Sequence, residues 1–104
     1  MELEAIEKLV LPADPGFQRR ADVAQRIEGM FSTFSIAVMD MMLSFQERVT
    51  AKGNILEIGT FKGKSAALLG CHLGPNERLV LVDVRDHLDP AAIEPFKAKT
   101  DFIL

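Results

Sequence analysis

The stretch Glu57-Ile58-Gly59-Thr60-Phe61-Lys62-Gly63-Lys64-Ser65 carries the residues best suited to chemistry. An apolar run holding an acid ends in two glycines four positions apart, and a helix-forming sequence follows. In an open parallel sheet, ligands bind beyond the carboxyl ends of the strands, beside a helix N-terminus with unpaired amide donors. Gly59 permits close approach of backbone to ligand. Gly63 lets the helix pack onto the strand, and Ser65 offers a hydroxyl to an anionic group. Asp83 ends the next apolar run, Leu79 to Val82, 24 residues after Gly59. A carboxylate there can accept two hydrogen bonds from ribose hydroxyls, so the pattern predicts a nucleoside-containing ligand.

The elements that must hold these residues fall into two halves: 1–52, a helical segment, and 53–104, an α/β segment that carries the glycine loop. Leu3, Ile6 and Val10 predict a helix over 2–11, stopped by Pro12-Ala13-Asp14-Pro15-Gly16. From Val23 the apolar positions run 23, 27, 30, 34, 38, 41, 45 and 49, a helical stripe. Gly29 interrupts it and Ser32 is a natural N-cap, which predicts two helices, about 17–29 and 33–51. The stripe and its flanks, with Met30, Met39, Met41, Met42, Phe31, Phe34 and Phe45, read first as the core side of a helix pair. A homodimer contact is the second reading.

After Gly53 the texture alternates. Ile55–Ile58 and Leu79–Val82 read as buried strands, Lys64–Leu73 as a helix, and Phe102-Ile103-Leu104 as the opening of a third strand. Asp89-Pro90 starts another short helix, which Pro95 should limit or kink. Strand–helix–strand–helix–strand predicts an α/β fold on a parallel sheet. Cys71 reads as a small buried hydrophobe on its helix. His72 reads as a cation near that helix's C-terminal dipole, and His87 as a solvated loop residue.

Composition narrows the function classes. The chain has 104 residues, 48% hydrophobic and 26% charged, with a net charge of −3. That charge divides into −2 over residues 1–52 and −1 over 53–104, so no basic face for nucleic acid stands out. No apolar run approaches the roughly 20 residues of a membrane span. One cysteine and no charged-then-apolar leader suit a reducing, cytoplasmic setting. No His/Asp/Glu spacing suggests a metal site, so none is expected.

Three loop families compete for the glycines. A phosphate-binding P-loop needs four residues between its first glycine and Gly-Lys-Ser, and here Gly59 and Gly63 enclose three. A dinucleotide fingerprint wants a second glycine where Phe61 stands. The third pattern is acid-x-Gly-x-x-x-Gly with a spaced acid. Ile55 through Ser65, with Leu79 to Asp83, resembles motifs I and II of the class I S-adenosylmethionine-dependent methyltransferases. The form Glu-Ile-Gly-Thr-Phe-x-Gly-x-Ser is especially similar to the catechol- and caffeoyl-coenzyme-A-type O-methyltransferases and related bacterial small-molecule enzymes. In those families the middle loop position is often aromatic, as Phe61 is. The resemblance spans about residues 30 to 104.

The resemblance implies a partial Rossmann-like methyltransferase fold of about three parallel strands with N-terminal helices, and S-adenosylmethionine as cofactor. Glu57 would orient the loop and reach the methionine ammonium. Gly59, Thr60, Phe61 and Gly63 would line the methionine part, Ser65 would help hold its carboxylate, and Asp83 would bind the ribose. Met30, within Met30-Phe31-Ser32, resembles a segment that closes over the cofactor, although core packing is its first reading. The family's acceptor-binding and catalytic groups lie beyond Leu104, so catalytic residues are not assigned. The small-molecule acceptor stays unnamed, and the chain is expected to be either a piece of a longer protein or a shortened relative. A catalytically silent binding or dimerisation module is the alternative. The family's strand order would leave Asn54–Ile58 as an open edge, so a homodimer is expected through that edge or the Met/Phe stripe, unless the N-terminal helices fold over the edge.

Overall fold

The computed structural model describes residues 16–49 and 53–104. The helix expected over 2–11, its stop at 12–15 and residues 50–51 of the third helix lie outside them. Two helices come first, α1 (Phe17–Gln25) and α2 (Thr33–Arg48). Strand β1 (Ile55–Ile58), helix α3 (Lys64–Gly70) and strand β2 (Leu79–Val82) follow. A short helix α4 (Pro90–Ile93) runs into a 3₁₀ segment (Glu94–Lys99), and β3 (Thr100–Ile103) completes the order.

Local chemistry sets most boundaries. Ser32 is extended, and its side-chain oxygen accepts the Ser35 amide at 3.1 Å, satisfying one of the donors a helix start leaves over. Asp89 does the same for Ala91 at 3.0 Å, with Pro90 in the first turn. Beyond Pro95 the backbone leaves helical geometry at Phe96, the limit expected of that proline. Two helices are shorter than their patterns suggest. The first closes at Gln25 with Arg26 as cap, and α3 closes at Gly70 rather than Leu73. The third strand starts at Thr100, two residues before its apolar run.

All pairings are parallel, in the order β1-β2-β3, with Glu57 beside Leu81 and Ile58 beside Val82. One face is packed: Leu79 and Leu81 join Ala66, Leu69 and Phe96 in a cluster that also holds Ile55, Phe102, Met39 and Leu43. The other face is bare. Leu56 and Ile58 are exposed, Ile58 to 77%, so β1 is a half-buried edge strand rather than a fully buried one.

Helix α3 is buried along Ala66-Ala67-Leu68-Leu69-Gly70, on every side. Leu68 meets Phe17, Ala21, Ala24, Ile36 and Ala37 of the two N-terminal helices, and Ala67 meets Ile27 and Ala92. Its small residues let neighbours come close. A Cβ on Gly70 would stand 2.0 Å from the Phe96 ring.

Of the Met/Phe set, Met39 and Phe31 pack against the core, but most of the stripe is not the core face of α2. Ile36, Ala37, Asp40 and Ser44 are buried, while Phe34, Met41, Met42, Phe45 and Val49 face outward, Phe45 to 62%. The stripe misled because the buried face contains Asp40, whose partners Arg20 and His72 are remote in sequence. Cys71 and His72 exchange their expected places: Cys71 is exposed and His72 is buried. Among the described residues no helix is long and apolar enough to cross a membrane.

The two faces of α2 should differ in cost. Ile36→Ala should lose about 2–5 kcal/mol, and Phe45→Gln should stay within about 0.5 kcal/mol, as read from denaturant midpoints at constant slope.

Candidate functional site

The loop between β1 and α3 stands at the carboxyl end of the sheet. Its first turn is fastened by the Gly59 amide, which donates to the Val82 carbonyl at 2.7 Å, and by Gly63, which donates to Thr60 at 3.0 Å. Gly63 has a φ of +94°, and a Cβ there would lie 2.7 Å from Leu88 and 2.8 Å from Ala92. Only glycine fits. Phe61 also has a left-handed backbone, φ +52°, which is uncommon for an aromatic residue.

What holds Phe61 in that conformation is Asp83. Its Oδ2 accepts the Phe61 amide at 2.7 Å, and its Oδ1 accepts the amides of Val84 and Arg85 at 2.7 and 3.3 Å. The Phe61 amide, aided by those of Arg85 and Val84, keeps the Asp83 carboxyl below its ordinary 3.8. Asp83 thus straps the end of β2 to the loop after β1. With about four acceptor positions on a carboxylate, Oδ2 keeps one for a ligand hydroxyl.

Glu57 points into the packed face, between the sheet and the start of α3. Ser65 donates its hydroxyl to Glu57 Oε2. The second oxygen, Oε1, is buried without a hydrogen bond of good geometry, as is the Thr60 hydroxyl oxygen, which lies near enough to the carboxylate to act on its titration. Burial pushes the Glu57 carboxyl above its ordinary 4.5, against the hydroxyls of Ser65 and Thr60, and the nearby charge of Asp83 adds to the rise. A buried carboxylate oxygen without a well-formed hydrogen bond is a cost that a ligand bringing its own donor would relieve.

Met30 makes no core contact; it is fully exposed, which corrects its first reading. Its segment does lie against the loop. Lys62 pairs with Glu28, and Lys64 reaches the Gly29 carbonyl at 3.4 Å. The structure therefore gathers Glu57, Gly59, Thr60, Phe61, Gly63, Ser65 and Asp83 at one end of the sheet, with the segment carrying Met30 beside them. Sequence reasoning passed over Lys62 and Lys64 as anchors. Their placement inside the loop was the signal available. His87 is exposed, yet its ring lies 5.7 Å from that of Phe61, tilted by 51°. Among the described residues no cluster of three His, Cys, Asp or Glu could hold a metal ion.

Glu57 exacts a stability cost that a neutral amide would not. Its folded pKa is raised, so its charged form destabilises the fold as pH climbs from about 4.5 through the folded value. Glu57→Gln should therefore raise the melting temperature of the ligand-free chain at pH 8, and the gain should shrink on acidification. Thermal melts of both proteins across pH 4–8 check this.

No family model matches the chain, and no curated protein matches it. Among solved structures, a "putative O-methyltransferase" from Klebsiella pneumoniae is similar, with a TM-score of 0.62 and 20% identity. The match covers 95% of this chain and 47% of that one, so this chain spans about half its length. The shared architecture is a partial Rossmann-like methyltransferase fold on three parallel strands.

Proposed function

We propose that this chain is the cofactor-binding part of an S-adenosylmethionine-dependent methyltransferase that acts on the oxygen of a small molecule. The observation that carries the reading is the buried Oε1 of Glu57, without a well-formed hydrogen bond, beside a strapped glycine loop in a methyltransferase fold. S-adenosylmethionine, when bound, supplies an electrophilic methyl group. The residues present fit it. Glu57 offers an acceptor to an ammonium, and the Gly59–Gly63 backbone offers a close-approach wall. Ser65, whose hydroxyl is donated to Glu57 in the free chain, would have to turn from it to hold a carboxylate, and Asp83 would offer an acceptor to a ribose hydroxyl. The segment 28–32, tied to Lys62 and Lys64, would bring Met30 over the ligand and exclude water. The acceptor oxygen needs groups that the described residues do not gather. The single cysteine favours a reducing compartment such as the cytoplasm.

Calorimetry with S-adenosylmethionine and S-adenosylhomocysteine tests this reading. The chain should bind both, and Asp83→Ala should weaken binding by about tenfold to a hundredfold, the range for charge-assisted hydrogen bonds. The absence of binding to either compound overturns the reading. Equal affinity in the variant removes Asp83 from the site.

A second reading, an assembly module without catalysis, is favoured by the open side of β1. The Ile55 amide donates to Arg78 and the Gly59 amide to Val82. By alternation, the amides and carbonyls of Leu56 and Ile58 then face outward. The Phe34/Met41/Phe45 face of α2 is exposed as well. Two copies that pair there should appear as a dimer in light scattering, and Ile58→Lys should dissociate it. A monodisperse wild-type monomer with fast-exchanging Leu56 and Ile58 amides would sink this second reading.

A further inference from the structure

His72 follows the C-terminal end of α3, at the opposite end of that helix from the glycine loop. Its side chain is 4% exposed, and both ring nitrogens face carboxylates. Nε2 lies 2.6 Å from Asp40 Oδ1, and Nδ1 lies 2.6 Å from Glu47 Oε1. Asp40 is completely buried and is also held by Arg20, whose Nε donates to Oδ1 at 2.7 Å and Nη2 to Oδ2 at 2.8 Å. Arg20 is on α1, and Asp40 and Glu47 are on α2. One ring therefore ties the end of α3 to α2, and through Asp40 to Arg20 on α1.

The protonation state follows from donor counting. An ionised carboxylate only accepts hydrogen bonds, and a neutral imidazole has a single N–H. A neutral ring would turn a lone pair toward one of the two carboxylates at 2.6 Å. A doubly protonated ring satisfies both.

We propose that His72 is a proton-operated clamp, which as an imidazolium locks α3 to α1 and α2, and which on losing a proton releases the Glu47 end of α2. The order of release follows from exposure. Glu47 is 54% exposed and can turn into water, while Asp40 is fully enclosed and keeps the remaining N–H. Among the described residues, the other groups around the ring do not replace the lost contact. Cys71 directs its thiol to the Ala67 carbonyl at 3.3 Å. Glu77 lines the same groove as His72, Glu47 and Asn54, with its two oxygens on the amides of Gly53 and Gly74. The sheet contributes Ile55, which is neutral.

The direction in pH is fixed by linkage. Burial opposes the charge on His72, but the hydrogen bonds to Asp40 and Glu47 outweigh it and hold the imidazole above its ordinary 6.5. The stability it contributes is complete below about 6.5. That stability is lost as pH rises through the folded value, by at most about tenfold in the folded-to-unfolded ratio per pH unit.

Nitrogen-detected NMR of the wild-type chain at pH 6 should show both His72 ring nitrogens protonated. Denaturation between pH 6 and 9 should show stability falling with rising pH, and Glu47→Gln should make that fall smaller. His87→Asn, at an exposed site, should leave it unchanged. A single protonated ring nitrogen at pH 6 overturns the proposal. So does a Glu47→Gln profile parallel to wild type, or a profile flattened by His87→Asn.

Discussion

Close approach at α3 is the constraint on which the rest of the fold depends. The helix is enclosed by α1, α2, the sheet and the 3₁₀ segment, and it reaches that position because Gly63, Ala66, Ala67 and Gly70 carry little or no side chain. The loop before it is shaped by the same need, since Leu88 and Ala92 occupy the space a side chain at Gly63 would take. Packing density and ligand-loop geometry are therefore one requirement. A loop that can approach a ligand is also the only loop that lets this helix dock.

The glycine loop is organised by the protein's own carboxylates before any ligand arrives. Asp83 spends most of its acceptors on the amides of Phe61, Val84 and Arg85, and Glu57 spends one oxygen on Ser65. The first arrangement fixes a left-handed Phe61 without a glycine. The second leaves a buried acceptor without a well-formed hydrogen bond, which destabilises the free chain and leaves an acceptor for a donor from outside. Stability and binding pull in opposite directions at Glu57, as they often do at sites that must receive charge.

The strands, the loop and the capped helix starts were legible because their causes are local. Ser32 and Asp89 cap within three residues of themselves, and the apolar runs at β1 and β2 need only their own composition. The face of α2 was not legible. Its buried side includes Asp40, tolerable there only because Arg20 and His72 arrive from 20 and 32 residues away. A helical wheel scores Phe45 above Asp40 for burial and has no means of seeing those partners. The same blindness read His72 as no more than a cation near a helix end and placed Cys71 inside. Within the site, the Asp83 side chain was legible as an acid at a strand end but not as a strap, because that role depends on the conformation of Phe61.

The bare face of the sheet has a topological consequence. A strand that joins β1 antiparallel, as a two-fold partner would, needs no crossover and leaves Leu56 and Ile58 as uncovered as before. A strand that joins parallel within one chain needs a connection of about a dozen residues or more, usually a helix that lies across a sheet face. The face with α3 is already occupied, so such a helix would settle over Leu56, Ile58 and Val80. Whichever polypeptide meets this edge, the direction of its strand decides whether the second face of the sheet becomes interior or stays in water.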